Sequence, residues 1–90
     1  NQTVHFRITA ERGALTPEEL RQALSLRISQ IKRFVVDNRS GDDGNDEILV
    51  LLSKVSSQDI ADFKNRLNEV PAVRRVDLIS RSAADNSSAT

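Results

Sequence analysis

One local pattern is written twice in this chain, and that repetition restricts its fold more than any other feature. Val4, Phe6 and Ile8 alternate with His5, Arg7 and Thr9. A period of two is the mark of a half-buried strand. Glu11-Arg12-Gly13 interrupts it. Thr16-Pro17-Glu18-Glu19 then supplies an N-cap residue, a proline at the first helical position and an acid placed for a capping box. Leu20, Ala23, Leu24 and Ile28 follow at i, i+3, i+4 and i+8, which predicts one apolar stripe on a helix. Ile31, Phe34, Val35 and Val36 have the β-branched and aromatic content of a second strand.

The second copy opens after a polar stretch, Asn38 to Asn45, that contains Gly41 and Gly44 and reads as a turn. Ile48 to Leu52 is almost continuously apolar, as a central strand is, and the strand is expected to end at Ser53. Ser56 and Asp59 repeat the cap logic of Thr16 and Glu19. Ile60, Phe63, Leu67 and Val70 form the second helical stripe, which Pro71 cannot continue. Val73, Val76 and Leu78 complete a last strand. Residues 82–90 are small and polar, with nothing to bury, and predict a disordered tail after a domain of residues 1–81.

The order is strand, helix, strand, strand, helix, strand, with halves at residues 3–37 and 46–81. A split β-α-β repeat of this kind is the ferredoxin-like βαββαβ sandwich of the α+β class. Right-handed crossovers place the first and third strands at the centre. The expected antiparallel four-stranded sheet has the order 4-1-3-2, with both helices on one face.

A chain of 90 residues supports one domain with one core. Its 13 basic and 13 acidic residues cancel, which argues against general nucleic-acid binding. There is no cysteine, hence no disulfide, thiol chemistry or zinc-thiolate site. No apolar run approaches the ~20 residues of a membrane span. The chain starts at Asn1 rather than Met, so a processed product or a module of a larger protein is expected, with any membrane portion outside it.

Alternation sends Val4, Phe6, Ile8, Ile48, Val50, Leu52, Val76 and Leu78 toward the helices. His5, Arg7, Thr9, Leu49, Leu51, Arg75, Asp77 and Ile79 are left on the other face, with Val35, Arg33 and Asp37 beside them. Leu49, Leu51 and Ile79 are expected to form an apolar centre with Arg75 in a charged rim, the composition of an interaction patch. The competing reading is a set of ordinary exposed aliphatics.

Signs of catalysis are missing. His5 is the only histidine, and no serine lies in a nucleophile elbow or near a usable base. Asp42, Asp43, Asp46 and Glu47 have the oxygen chemistry of a hard-cation site but not the calcium-loop spacing, so they read as a solvated hairpin loop, with weak cation binding as the alternative. Neither a metal site nor a cofactor is expected. The central strands offer only Phe6, placed inward, for base stacking, unlike RNA-recognition domains. Heavy-metal-associated domains need a cysteine pair. Ala10-Glu11-Arg12-Gly13-Ala14 does not supply a phosphate loop of the acylphosphatase type. A non-enzymatic binding domain is the expectation.

With these elements in place, the chain resembles the ACT domain family. Arg12-Gly13-Ala14-Leu15 looks like that family's R-x-G-x-L-type turn between first strand and first helix. Leu67-Asn68-Glu69-Val70-Pro71-Ala72-Val73-Arg74-Arg75-Val76 looks like its second-helix-to-fourth-strand pattern, with Ala72 in place of the common glycine. The resemblance implies a regulatory module that pairs and binds a small effector, such as an amino acid, at a domain–domain interface. Carried onto this chain, the effector-binding turn is Arg12, Gly13 and Leu15. A homodimer or a partner domain would use the outer sheet face. The chain also resembles the ACT-like soluble C-terminal domain of MgtC/SapB-type bacterial membrane proteins. That likeness implies a cytoplasmic protein-interaction appendage of an inner-membrane protein, without a small ligand.

Overall fold

The computed structural model describes residues 1–37 and 43–83. The elements are β1 (Gln2–Glu11), α1 (Pro17–Ala23), a single 3-10 turn (Ile28–Gln30), β2 (Ile31–Asp37), β3 (Asn45–Val55), α2 (Ser57–Asn68) and β4 (Val73–Ala83). All strand pairs are antiparallel, in the order β2-β3-β1-β4. This is the expected 4-1-3-2 order read from the other edge, and the ferredoxin-like architecture is present.

The inner face of the sheet follows the alternation of the strands. Val4, Phe6 and Ile8 on β1, and Ile48, Val50 and Leu52 on β3, have no solvent exposure. Leu20 and Leu24 from the first half, with Ile60, Phe63 and Leu67 from α2, close the core against them. Each such side chain contributes about 1.5–3 kcal/mol when withdrawn from water. Both helices start as the sequence indicates. Thr16 with Glu19, and Ser56 with Asp59, form complete capping boxes, and Pro17 occupies the first turn of α1.

Three expectations need correction. The first concerns α1, which stops at Ala23, so Ile28 lies beyond it in the 3-10 turn and is 71% exposed. Ser25 adopts a left-handed backbone, φ 55°, while the Leu26 amide reaches Arg21 O (2.9 Å) and the Ser25 amide reaches Gln22 O (3.2 Å). This is a Schellman termination, and it swings Leu26 into the core in place of Ile28. The second concerns β3, which runs past Ser53 to Val55. Its pairing with β1 shifts register between Gln2 and Val4, Lys54 takes φ 57°, and Val55 is fully buried. The Gln30 amide nitrogen donates to Ser53 O (3.3 Å) and Lys54 O (3.1 Å), satisfying carbonyls that the irregularity exposes. The third concerns β4, which extends to Ala83. Ser82 pairs with Thr3 and Ala83 with Gln2, so the sheet claims two residues assigned to the tail. The rest of the expected tail, and Asn38 to Asp42 of the expected turn, lie outside the described residues.

Both edge strands are irregular. β4 carries register shifts that leave Arg74 and Ile79 without a β1 partner, and β2 has one at Lys32. Bulges of this kind twist an edge and blunt it as a template for further strand pairing.

Candidate functional site

The β1–α1 turn is built by backbone hydrogen bonds to two other connections. The Glu11 amide donates to Ala72 O (2.8 Å), the Arg12 amide to Gly44 O (2.9 Å) and the Ala14 amide back to Glu11 O (3.0 Å). Gly13 supplies the left-handed φ of 74° that the turn requires. One end of the sheet therefore gathers the β1–α1 turn, the start of β3 and the α2–β4 connection.

Asp46 organises this end. Its side chain is almost completely buried, at 7% exposure. Asp46 Oδ2 accepts from the Gly13 amide (2.9 Å), and Oδ1 lies 3.6 Å from Arg12 Nε. Arg12 also donates from Nη2 to Asn45 O (3.3 Å). A buried carboxylate is tolerated only with such partners. Sequence reasoning placed Asp46 in a solvated acidic loop. The informative signal was alternation, since Asp46 is in phase with the inward-facing Ile48, Val50 and Leu52 of β3.

The predicted turn trio is thus divided. Arg12 and Gly13 hold Asp46. Leu15, 6% exposed, instead lines a surface cleft of about 370 Å³ with Ala14, Glu19, Gln22, Ala23 and Val70. This volume falls within the ~300–1,000 Å³ of small-molecule clefts. Ala14 and Leu15 come from one of the two sequence elements that resemble ACT domains, and Val70 from the other.

The polar groups of the cleft are partly committed. Glu19 Oε1 accepts from the Thr16 amide (2.9 Å), and the Glu19 amide donates to Thr16 Oγ1 (3.1 Å). Gln22 donates from Nε2 to Glu18 Oε2 (3.0 Å). Glu18 also accepts from Arg21 Nε (2.8 Å). The hydrogen bonds from Arg21 and then Gln22 hold the Glu18 carboxyl down at about 2, and the same contact with Glu18 raises the Arg21 guanidinium.

On the outer sheet face, Leu49 and Leu51 lie opposite Val35 and Arg33 of β2 on one side, and opposite Arg7 and His5 of β1 on the other. Val35 is 44% exposed, whereas Leu49 and Leu51 are half-buried. The single patch expected from Leu49, Leu51 and Ile79 is divided, because the sheet order sets β1 between β3 and β4. Val35, Leu49 and Leu51 form one apolar group, and Ile79, 41% exposed, stands alone beyond His5 and Arg7. Charges flank both. Arg7 Nε is 3.7 Å from Glu47 Oε1, and Arg75 Nε is 2.9 Å from Asp77 Oδ2. His5 lies in the same row as Leu51 and Ser80. Among the described residues no cluster of three or more histidines, cysteines or acids is placed to hold a metal ion. No described helix is long and apolar enough to cross a membrane.

No protein-family model and no curated protein matches the sequence. Solved structures do match in three dimensions. An uncharacterized protein of Thermotoga maritima superposes with a TM-score of 0.60 at 16% identity, over 89% of this chain and all of that one. The ACT domain of a GTP pyrophosphokinase from Chlorobium tepidum superposes with a TM-score of 0.55 at 15% identity, over 86% of this chain and 96% of that one. The chain has an ACT-like fold. At such identities the likeness concerns the path of the backbone, and function has to be argued from the cleft and the faces.

Proposed function

We propose that this domain is a non-catalytic regulatory module of a larger protein, and that it binds a small effector in the cleft between α1 and the end of α2. One observation carries the reading. The two short sequence elements that resemble ACT domains, far apart in the chain, line the same cleft through Ala14, Leu15 and Val70. The floor is apolar and the rim polar, the usual composition of a small-ligand site. Arg12 and Gly13 act as supports that set the turn through Asp46, and Leu15 is the contact residue. An amide NMR titration with pooled amino acids, then nucleotides, then Mg²⁺ tests this. Saturable shifts at Ala14, Leu15, Gln22 and Val70 are expected. A silent spectrum at millimolar ligand would remove the effector from the reading.

A second reading rests on the outer face, where Val35, Leu49 and Leu51 lie side by side between charged residues. Here the domain pairs with a second copy or a partner domain, as a cytoplasmic interaction appendage of an MgtC/SapB-type membrane protein would. Leu51→Asp is then expected to lower the mass of the assembly in light scattering while circular dichroism keeps the helices. A wild type that is already monomeric at high concentration would sink it.

A further inference from the structure

The polar groups around the cleft do not suit a ligand carboxylate. We infer that the cleft takes a small apolar amine, a cation without a carboxylate, rather than an amino acid; this rests on the effector-binding reading above.

Three amides in and beside the neighbouring turn are engaged inside the protein. The Gly13 amide is bonded to Asp46 Oδ2, the Ala14 amide to Glu11 O, and the Glu19 amide to Thr16 Oγ1. Arg12, the cation of the turn, lies against Asp46 and Asn45 O. Asp46 thus holds the Gly13 amide as an internal carboxylate. No basic side chain is among the residues lining the cleft.

The acceptors are in the opposite condition. Glu19 is exposed and has no cationic partner among the described residues, and only its Oε1 is engaged, by the Thr16 amide. Gln22 commits its nitrogen to Glu18, which leaves its side-chain carbonyl without a protein donor among the described residues. Glu19 and Gln22 lie one helical turn apart on α1, so an ammonium group at the rim meets a full negative charge and a neutral acceptor together. Ala14, Leu15, Ala23 and Val70 offer apolar surface to a short aliphatic chain.

The test compares three probes on the 90-residue chain at low ionic strength: 3-methylbutylamine, 3-methylbutanoate and leucine. Amide shifts at Leu15, Gln22, Ala23 and Val70 are expected to saturate with the amine at the lowest concentration. Glu19→Gln keeps the capping geometry, because glutamine serves at that position of a capping box. It is expected to weaken the amine by about threefold to fivefold, the size of an exposed charge pair, with helix content unchanged. Unaltered amine affinity in Glu19→Gln would overturn the inference. So would carboxylate or leucine binding more tightly than the amine at the same residues, an outcome that leaves the effector-binding reading standing. Silence from all three probes would overturn the inference, and the effector-binding reading would then be decided by the pooled titration with amino acids, nucleotides and Mg²⁺.

Discussion

The two halves of the molecule start alike and end differently. Each opens with an alternating strand and a complete capping box, yet α1 has 7 residues and α2 has 12. α2 continues until the approach of Pro71, where the Val70 amide bonds back to Leu67 O (3.1 Å). α1 stops where Ser25 takes a left-handed conformation, and the chain then reaches β2 through Leu26, the 3-10 turn and Gln30. Repetition builds the sheet and the core, while the difference between the halves builds the distinctive surface. The cleft is bounded by Ala23, the last residue of the short helix, and by Val70, just beyond the long one.

The comparison breaks most readily in the core. Leu20 on α1 and Leu67 on α2 are both fully buried, so Leu20→Ala and Leu67→Ala are each expected to cost about 2–5 kcal/mol in urea unfolding. A Leu20→Ala penalty far below that of Leu67→Ala would mean that the short helix is only loosely docked.

Asp46→Ala sharpens the contrast at the turn. It removes the acceptor of the Gly13 amide and the anion beside Arg12, and about 1–3 kcal/mol should be lost. Among the described residues the β3–α2 connection has no buried carboxylate of this kind, so the amide resonances of residues 11 to 15 should move more than those of residues 55 to 59. An even disturbance of the two connections would contradict this assignment.

Ser25→Gly addresses the early helix stop directly. Glycine adopts the left-handed backbone without the steric penalty that serine bears, and the variant should gain about 0.5–1 kcal/mol. A loss of stability, or an α1 that lengthens in secondary chemical shifts, would show that the Schellman ending does not set the helix length.

The smallest effect is electrostatic. Arg21 and Gln22 bring the Glu18 carboxyl from the ordinary 4.5 down to about 2. A lowered folded value means that the contribution is present above about 4.5 and is lost as pH falls through about 2. Glu18 is solvent-exposed, so the consequence is read as a titration rather than as stability. Carboxyl NMR should follow Glu18 in that low range, and Arg21→Gln should return it toward the ordinary one.

Much of this was legible in the chain. Every inward strand position expected from β1 and the centre of β3 is buried, and both caps were visible as Thr16 with Glu19 and Ser56 with Asp59. The end of α1 was not legible, because its left-handed position holds serine where glycine would have signalled a stop. Asp46 was hidden by its acidic neighbours, although its phase in β3 pointed inward. The joining of Leu15 with Val70, and the separation of Leu49 from Ile79, depend on contacts between segments remote in sequence.

Local chemistry therefore determined the type, order and facing of the elements, since alternation, helical spacing and capping act over a few residues. Only the tertiary structure decided which donors remain open to a ligand. That outcome depends on where Asp46, carried by a strand more than thirty residues away, meets the Gly13 amide.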